Sequence, residues 1–317
     1  MVAVVAAITM LIVLGVGAVV IDAGAMYAER RQLQNGADAA ALAIAYQCAG
    51  GDCGDVEAMA QTFADGNAND GTSTVDEVVM QPNRAIVHLS TSTVEGGSAI
   101  RHWFAPVFTL ITGDGDRDET TVFADAAADW GGISSGTGIV PLAISWCAFV
   151  EHTGGGIPSD EIEQTITYLS EAGDCVGPSG HTIPGGFGWL ETDGECTVWT
   201  TIDDPQTPGK PGVSTPGDCD ADDFASLRDE TVFFPVYEQS GGTGASGWFQ
   251  IHGYAAFHVT GFRFACPSAY RWNDGGGACG PNTARFIRGY FTELVDPTDM
   301  YELGGPTLGA WAVGLTR

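Results

Sequence analysis

The hydrophobic pattern changes period twice along the chain. From Met1 to Ile21 there is no charged residue. At about 1.5 Å per helical residue such a segment crosses roughly 30 Å, the thickness of a bilayer core, which predicts a membrane-spanning helix. The first proline is Pro82, and Tyr27, Leu33, Ala37, Ala40, Ala41 and Ile44 recur at spacings that suit one helical face. The same helix is therefore expected to continue past the bilayer as a stalk, giving an anchor-and-stalk segment over residues 1–47.

Residues 48–131 read as a small α+β unit. Positions 55–70 are helical and acidic, and two alternating runs, Thr74 to Met80 and Arg84 to Ser92, flank the turn residues Pro82 and Asn83 as a hairpin. Ser98 to Ile111 places Ile100, Trp103, Phe104, Val107, Phe108 and Ile111 on one helical face, with Ser98 as N-cap and a kink at Pro106. Thr120 to Trp130 reads as a strand, and the glycine-rich run Gly131 to Gly138 as a linker.

Residues 132–317 form the third region, with strand-like runs at Val140 to Val150, Gly188 to Leu190, Thr197 to Ile202, Thr231 to Glu238, Trp248 to Phe264 and Phe286 to Val295. Thr165 to Ser170 suits helix or strand. Loops rich in Gly, Pro and Asp separate these runs, the longest from Asp203 to Asp223. The expected class is α+β: a long membrane and stalk helix, a small α+β unit, and a β-rich domain stapled by disulfides.

The N-terminal segment carries a more specific signal. Val20-Ile21-Asp22-Ala23-Gly24 closes the apolar run, Tyr27 and the pair Arg30-Arg31 follow, and then comes Leu33-Gln34-Asn35-Gly36-Ala37-Asp38-Ala39-Ala40-Ala41-Leu42-Ala43. This combination closely resembles the N-terminal region of TadG-like proteins of Tad (Flp) pilus-assembly systems. The resemblance implies a non-enzymatic, membrane-anchored component of a Tad-type pilus or secretion apparatus, whose partners would be other apparatus or pilin-like subunits. Two departures matter. Family members carry an arginine-rich stretch before the apolar run, which would place the native start upstream of Met1. Type IV pilins carry glutamate at mature position 5, where this chain has Val5, so prepilin-peptidase processing is not expected. Larger TadG-like proteins often contain an Asp-x-Ser-x-Ser adhesion motif, which is absent here.

Ala23-Gly24-Ala25 also fits a small-x-small signal-peptidase site. The apolar run exceeds the usual 7 to 15 residues and lacks a basic leader, which favours a retained anchor over a cleaved signal peptide. Arg30 and Arg31 would hold the C-terminal side in the cytoplasm by the positive-inside rule, but long domains translocate largely regardless of such charge.

The cysteines decide the expected side. Cys48, Cys53, Cys147, Cys175, Cys196, Cys219, Cys266 and Cys279 are even in number, all follow the apolar segment, and none forms a Cys-x-x-Cys zinc pair. An oxidising, extracytoplasmic compartment follows. Proximity favours Cys48 with Cys53 and Cys266 with Cys279, each across a glycine-rich turn, and then Cys147 with Cys175 and Cys196 with Cys219.

With 12 basic and 40 acidic residues and a net charge of −28, the surface repels nucleic acid and anionic lipid headgroups. Gly132-Ile133-Ser134-Ser135-Gly136 matches G-x-S-x-G but lacks the strand-turn-helix setting of a nucleophile elbow. Gly242 to Gly247 matches G-x-G-x-x-G, but the alternating run Trp248 to Tyr254 follows where a dinucleotide fingerprint needs a helix. No enzyme, nucleotide or zinc site is expected. Calcium is the one ligand with a pattern: Asp114, Asp116 and Asp118 form D-x-D-x-D with Asp125 at the twelfth position. The sixth position is Glu119 rather than glycine. Asp218, Asp220, Asp222 and Asp223, with Asp229, form a second such set. Solvated acidic loops are the alternative for both. An anchored adhesin or ligand-binding protein is the second functional reading, prompted by Trp146, Trp189, Trp199, Trp248 and Trp272 among the loops.

Overall fold

A computed structural model describes residues 2–69, 73–91, 100–101, 119–156, 158, 161–168, 175–210, 212–242, 246–280, 283–296 and 300–316. The chain forms two compact units, one comprising Met1–Asp129 with Gly314–Arg317, the other Trp130–Val313. The class is α+β, with one long N-terminal helix and a mostly β remainder.

In the first unit α1 spans Val2–Ala49, 48 residues without interruption and so about 72 Å long. Its two ends are packed differently. Val4, Val5, Met10, Ile12, Val13, Leu14, Val16, Val19, Val20 and Ile21 are exposed, whereas Leu33, Ala37, Ala40, Ala41, Ile44, Ala45 and Cys48 form a buried stripe at spacings of three and four. That stripe packs on α2 (Val56–Asn67) and β2 (Arg84–Thr91). Asp55 starts α2 by accepting the Ala58 N–H at 3.0 Å, and Ala60 and Ala64 are its buried positions.

The approach of α1 to α2 explains the run around Gly36. A Cβ on Gly36 would lie 3.2 Å from the Ala64 Cα and 3.5 Å from Leu89 Cδ1. Glycine and alanine occupy these positions because two backbones close on each other there. The polar members of the run are used as well. Gln34 Nε2 donates to Asp38 Oδ1 and to the Asp125 carbonyl, both at 2.9 Å, and Gln32 Oε1 accepts the Asn69 N–H at 2.8 Å.

The hairpin forms with β1 (Ser73–Gln81) antiparallel to β2, and Asn83 takes the left-handed φ of 59° in its turn. Ile100–Arg101 forms β3, antiparallel to β4 at Glu119–Thr120. The helix expected over Ser98 to Ile111 therefore does not hold at Ile100 and Arg101. There β-branched Ile100 pairs with β-branched Thr120, and ladder bonding replaces the helical contacts. Residues 102–111 lie outside the described residues. The first part of β5 (Phe123–Gly138) pairs with β2 from Arg84↔Asp129 to Ser90↔Phe123, and Arg84 clamps Asp129 through two hydrogen bonds of 2.5 and 2.8 Å.

The glycine-rich run expected as a linker is the second part of β5. A Cβ on Gly132 would meet the Gly305 and Pro306 carbonyls at 2.5 Å, and one on Gly136 the Tyr301 ring. These glycines admit close neighbours; they do not loosen the chain. In the second unit this part of β5 pairs with β9 (Val198–Thr201) and β16 (Tyr301–Gly305).

The other sheet runs β7 (Gln164–Thr167), β14 (Phe286–Thr292), β12 (Trp248–Arg263), β11 (Thr231–Gly241), β6 (Leu142–Ser145), β8 (Phe187–Trp189). Its spine is the β11–β12 hairpin. The strand expected over Val140 to Val150 ends at Ser145. The Ser145 side chain accepts the Cys147 N–H at 3.0 Å and caps α3 (Trp146–Thr153), which Gly154 closes at φ 66°. Capping outweighs the strand preference of Trp146, Phe149 and Val150. Trp189, Phe187, Phe224, Phe262 and Phe264 pack in one aromatic core, with Trp189 and Phe264 centroids 5.2 Å apart. Disulfides join Cys147–Cys175, Cys196–Cys219 and Cys266–Cys279 here, and Cys48–Cys53 in the first unit, each between sequence neighbours.

If backbone proximity is what Gly36 provides, Gly36→Leu will destabilise the first unit by about 2 kcal/mol, the usual scale of overpacking. Gly24→Leu, where nothing lies within 4 Å, will leave stability unchanged. Denaturant unfolding of the purified chain in detergent measures both.

Candidate functional site

The most distinctive surface is the first part of α1. Val4, Met10, Ile12, Leu14, Val19 and Ile21 are each more than half exposed, and Ile12, Val13 and Leu14 are consecutive, so the apolar surface extends around the whole helix. A helix that is hydrophobic all round needs an apolar environment on every side. Among the described residues, one helix is long and apolar enough to cross a membrane, and it is this one. Asp22 is the first charge. Further along the helix, the Arg31 guanidinium lies 5.1 Å over the Tyr27 ring, an amphipathic pair suited to the edge of a bilayer. The buried stripe then begins at Leu33.

The described acidic residues singled out from the sequence take part in local contacts. Asp114, Asp116 and Asp118 lie outside the described residues. Asp125 is on β5 with its carboxylate 2.6 Å from His88 Nδ1. Asp220 caps the helical turn Ala221–Ala225, accepting the Asp222 and Asp223 N–H groups, while Asp223 accepts the Asp220 N–H at 2.7 Å in a reciprocal capping box. Asp218 accepts from the Thr192 hydroxyl, and Asp229, at φ 61°, lies 3.3 Å from His258 Nε2. Among the described residues no group of three His, Cys, Asp or Glu side chains could hold a metal ion.

The nucleophile-like motif is occupied structurally: Ser134 Oγ donates to the Leu303 carbonyl at 3.0 Å and Ser135 Oγ to Glu302 Oε2 at 2.6 Å. Gly242 and Gly247 fall between β11 and β12, and residues 243–245 lie outside the described residues. Of the five tryptophans that prompted the ligand-binding reading, Trp189 is fully buried, Trp146 begins α3, and Trp199 is 55% exposed on β9. The second unit also has an open cavity of about 300 Å³ lined by Ile139, Phe233, Leu294, Met300 and Tyr301, with Glu230 and Asp296 among its polar groups.

One cluster was not anticipated. Asp274, 10% exposed, accepts from Arg271 Nε at 2.6 Å and Arg263 Nε at 2.7 Å, and its other oxygen accepts the Gly276 N–H at 3.0 Å. Hydrogen bonding from Arg271 first, with Arg263 and Gly276 added, outweighs desolvation and holds this carboxyl well below the usual carboxylate range. The guanidiniums also reach the Gly276 and Gly277 carbonyls, so they build the loop from Asn273 to Gly280. The available sequence signal was the concentration of Arg263, Arg271, Arg285 and Arg288 in a chain with 12 basic residues.

Residues 1–46 match the Tad family model, described as Flp pilus-assembly TadE/G-like. No curated protein and no solved structure matches the chain.

Asp274→Asn will cost about 2 kcal/mol at pH 7, the scale of hydrogen bonds to a charged group. Because the folded carboxyl titrates below its unfolded value near 3.9, its contribution is complete above about pH 5 and declines as pH falls from there toward the folded value. The stability gap between native and variant chains will narrow between pH 5 and pH 2.5 in denaturant titrations. A constant gap contradicts the assignment.

Proposed function

We propose that this chain is a non-enzymatic, membrane-anchored component of a Tad/Flp-type pilus-assembly or secretion apparatus. Met1 to Ile21 spans the membrane once, and the disulfide-bonded remainder is displayed on the extracytoplasmic side. The observation that carries this reading is the change along α1, from apolar on all faces to a single buried stripe. The match of residues 1–46 to the TadE/G-like model supports the apparatus. Four disulfides support the oxidising side. In this reading the exposed apolar surface faces lipid and the membrane helices of other apparatus or pilin-like subunits.

An anchored ligand-binding protein is the second reading, favoured by the cavity beside Tyr301 and Met300. Binding of a glycan or matrix component by the folded chain, in a genome lacking a neighbouring secretion ATPase, would support it over the first.

In cells the full chain will stay with membranes after alkaline carbonate washing and will be degraded by protease added outside intact spheroplasts. Recovery of a soluble form beginning near Met26, or protection of the folded part from external protease, would contradict the topology.

A further inference from the structure

The Cys266–Cys279 bridge differs from the other three in its electrostatic surroundings. Arg285 Nη1 donates to Cys279 Sγ at 3.5 Å and its Nη2 to Cys266 Sγ at 3.6 Å. Nη1 also donates to the Thr283 carbonyl at 2.9 Å, which fixes the guanidinium against the two sulfurs. Among the described residues no cation donates to a sulfur of the other bridges. Exposure separates this bridge too. Cys266 and Cys279 are both partly exposed, whereas Cys48, Cys147, Cys196 and Cys219 are buried, so every other bridge has at least one shielded end.

A neighbouring permanent cation stabilises a thiolate over a thiol, and a better-stabilised leaving thiolate departs faster in exchange. We propose that Cys266–Cys279 is a thiol-exchange site, the one bridge of this protein that external thiols open selectively and reversibly. In the first step an external thiolate attacks one sulfur. A new S–S bond forms as the Cys266–Cys279 bond breaks, and the bonding pair leaves on the second sulfur as a thiolate held by Arg285. A second external thiolate then attacks the mixed disulfide at the external sulfur. The products are the protein dithiol, after uptake of two protons, and the oxidised external disulfide. Two electrons pass from the external thiols to the protein.

The loop between the cysteines is held independently of the bridge. Asp274 ties it to Arg263 and Arg271, the Arg263 and Arg271 guanidiniums hold the Gly276 and Gly277 carbonyls, and Arg271–Trp272 forms β13 against β12. Opening the bridge therefore leaves the loop in place, and the dithiol stays close enough to close again. The inference is independent of which side of the membrane the second unit occupies.

The test equilibrates the full chain in detergent with glutathione buffers of graded ratio, traps thiols with an isotopic alkylating agent, and reads each cysteine pair by peptide mass spectrometry. Cys266–Cys279 is expected to reach half-reduction in buffer about tenfold more oxidising than any other bridge requires. The aromatic circular dichroism should stay unchanged at that point. Arg285→Ala should bring it into line with the others, and Arg285→Lys, which keeps a cation, should retain most of the difference. Arg285→Lys also guards against a folding defect in the alanine variant. Opening of another bridge first, simultaneous opening of all four, or an unchanged order in a folded Arg285→Ala would overturn the proposal.

Discussion

One helix has to satisfy two environments, and the organisation of the first unit depends on how its sequence does so. Through Ile21, α1 exposes apolar side chains on all sides, a surface stable only against lipid or other apolar helices. From Leu33 onward it buries a single stripe in which small residues predominate, and the small size at Gly36 and its neighbours is what lets Ala64 and Leu89 come so near. Larger residues on that stripe would force α2 and β2 outward. Gln32 and Gln34 would then lose their bonds to Asn69 and to the Asp125 carbonyl. The anchoring surface and the packing surface are consecutive stretches of one uninterrupted backbone.

Close backbone approach recurs in the second unit with aromatic rings as the partners. The Phe249 ring covers Gly188 and Gly209, Trp248 covers Gly241, and Tyr301 covers Gly136, each within the space that a Cβ would need. The glycine-rich composition, 45 in 317 residues, is thus partly a packing device. Strand glycines are weak on their own, and a covering ring returns buried apolar contact to them. Disulfides between sequence neighbours close the loops outside these strands.

Elements whose causes are local were legible. The apolar run predicts α1, the helical and acidic stretch at 55–70 predicts α2, and Pro82-Asn83 predicts the hairpin turn. Elements whose causes are distant were not. Gly131 to Gly138 reads as a linker until Tyr301 and Pro306 are placed against it, more than a hundred residues away in sequence. Trp146 to Val150 reads as strand from its bulky apolar residues, and the Ser145 and Gly154 caps make it a helix. β16, β17 (Thr307–Leu308) and β18 (Ala310–Thr316) are short or rich in glycine and small residues, which gives them little strand signal of their own. Among chemical groups, the anchor is visible as composition. The salt-bridged Asp274 is not, because Arg263 and Arg271 reach it only once β12 and β13 are paired.

The continuity of α1 across its two environments is tested most directly by nitroxide scanning from Val4 to Ala45 in liposomes, with oxygen and a water-soluble nickel chelate as competing relaxation agents. The account predicts high oxygen and low nickel accessibility at every position through Ile21. Beyond Leu33, with the buried stripe itself left unlabelled, it predicts a 3.6-residue oscillation whose minima are the positions flanking Ala37, Ala40, Ala41 and Ile44, and no break in helical phase. Nickel accessibility within Val4 to Ile21, or a loss of helical phase between Asp22 and Leu33, would contradict it.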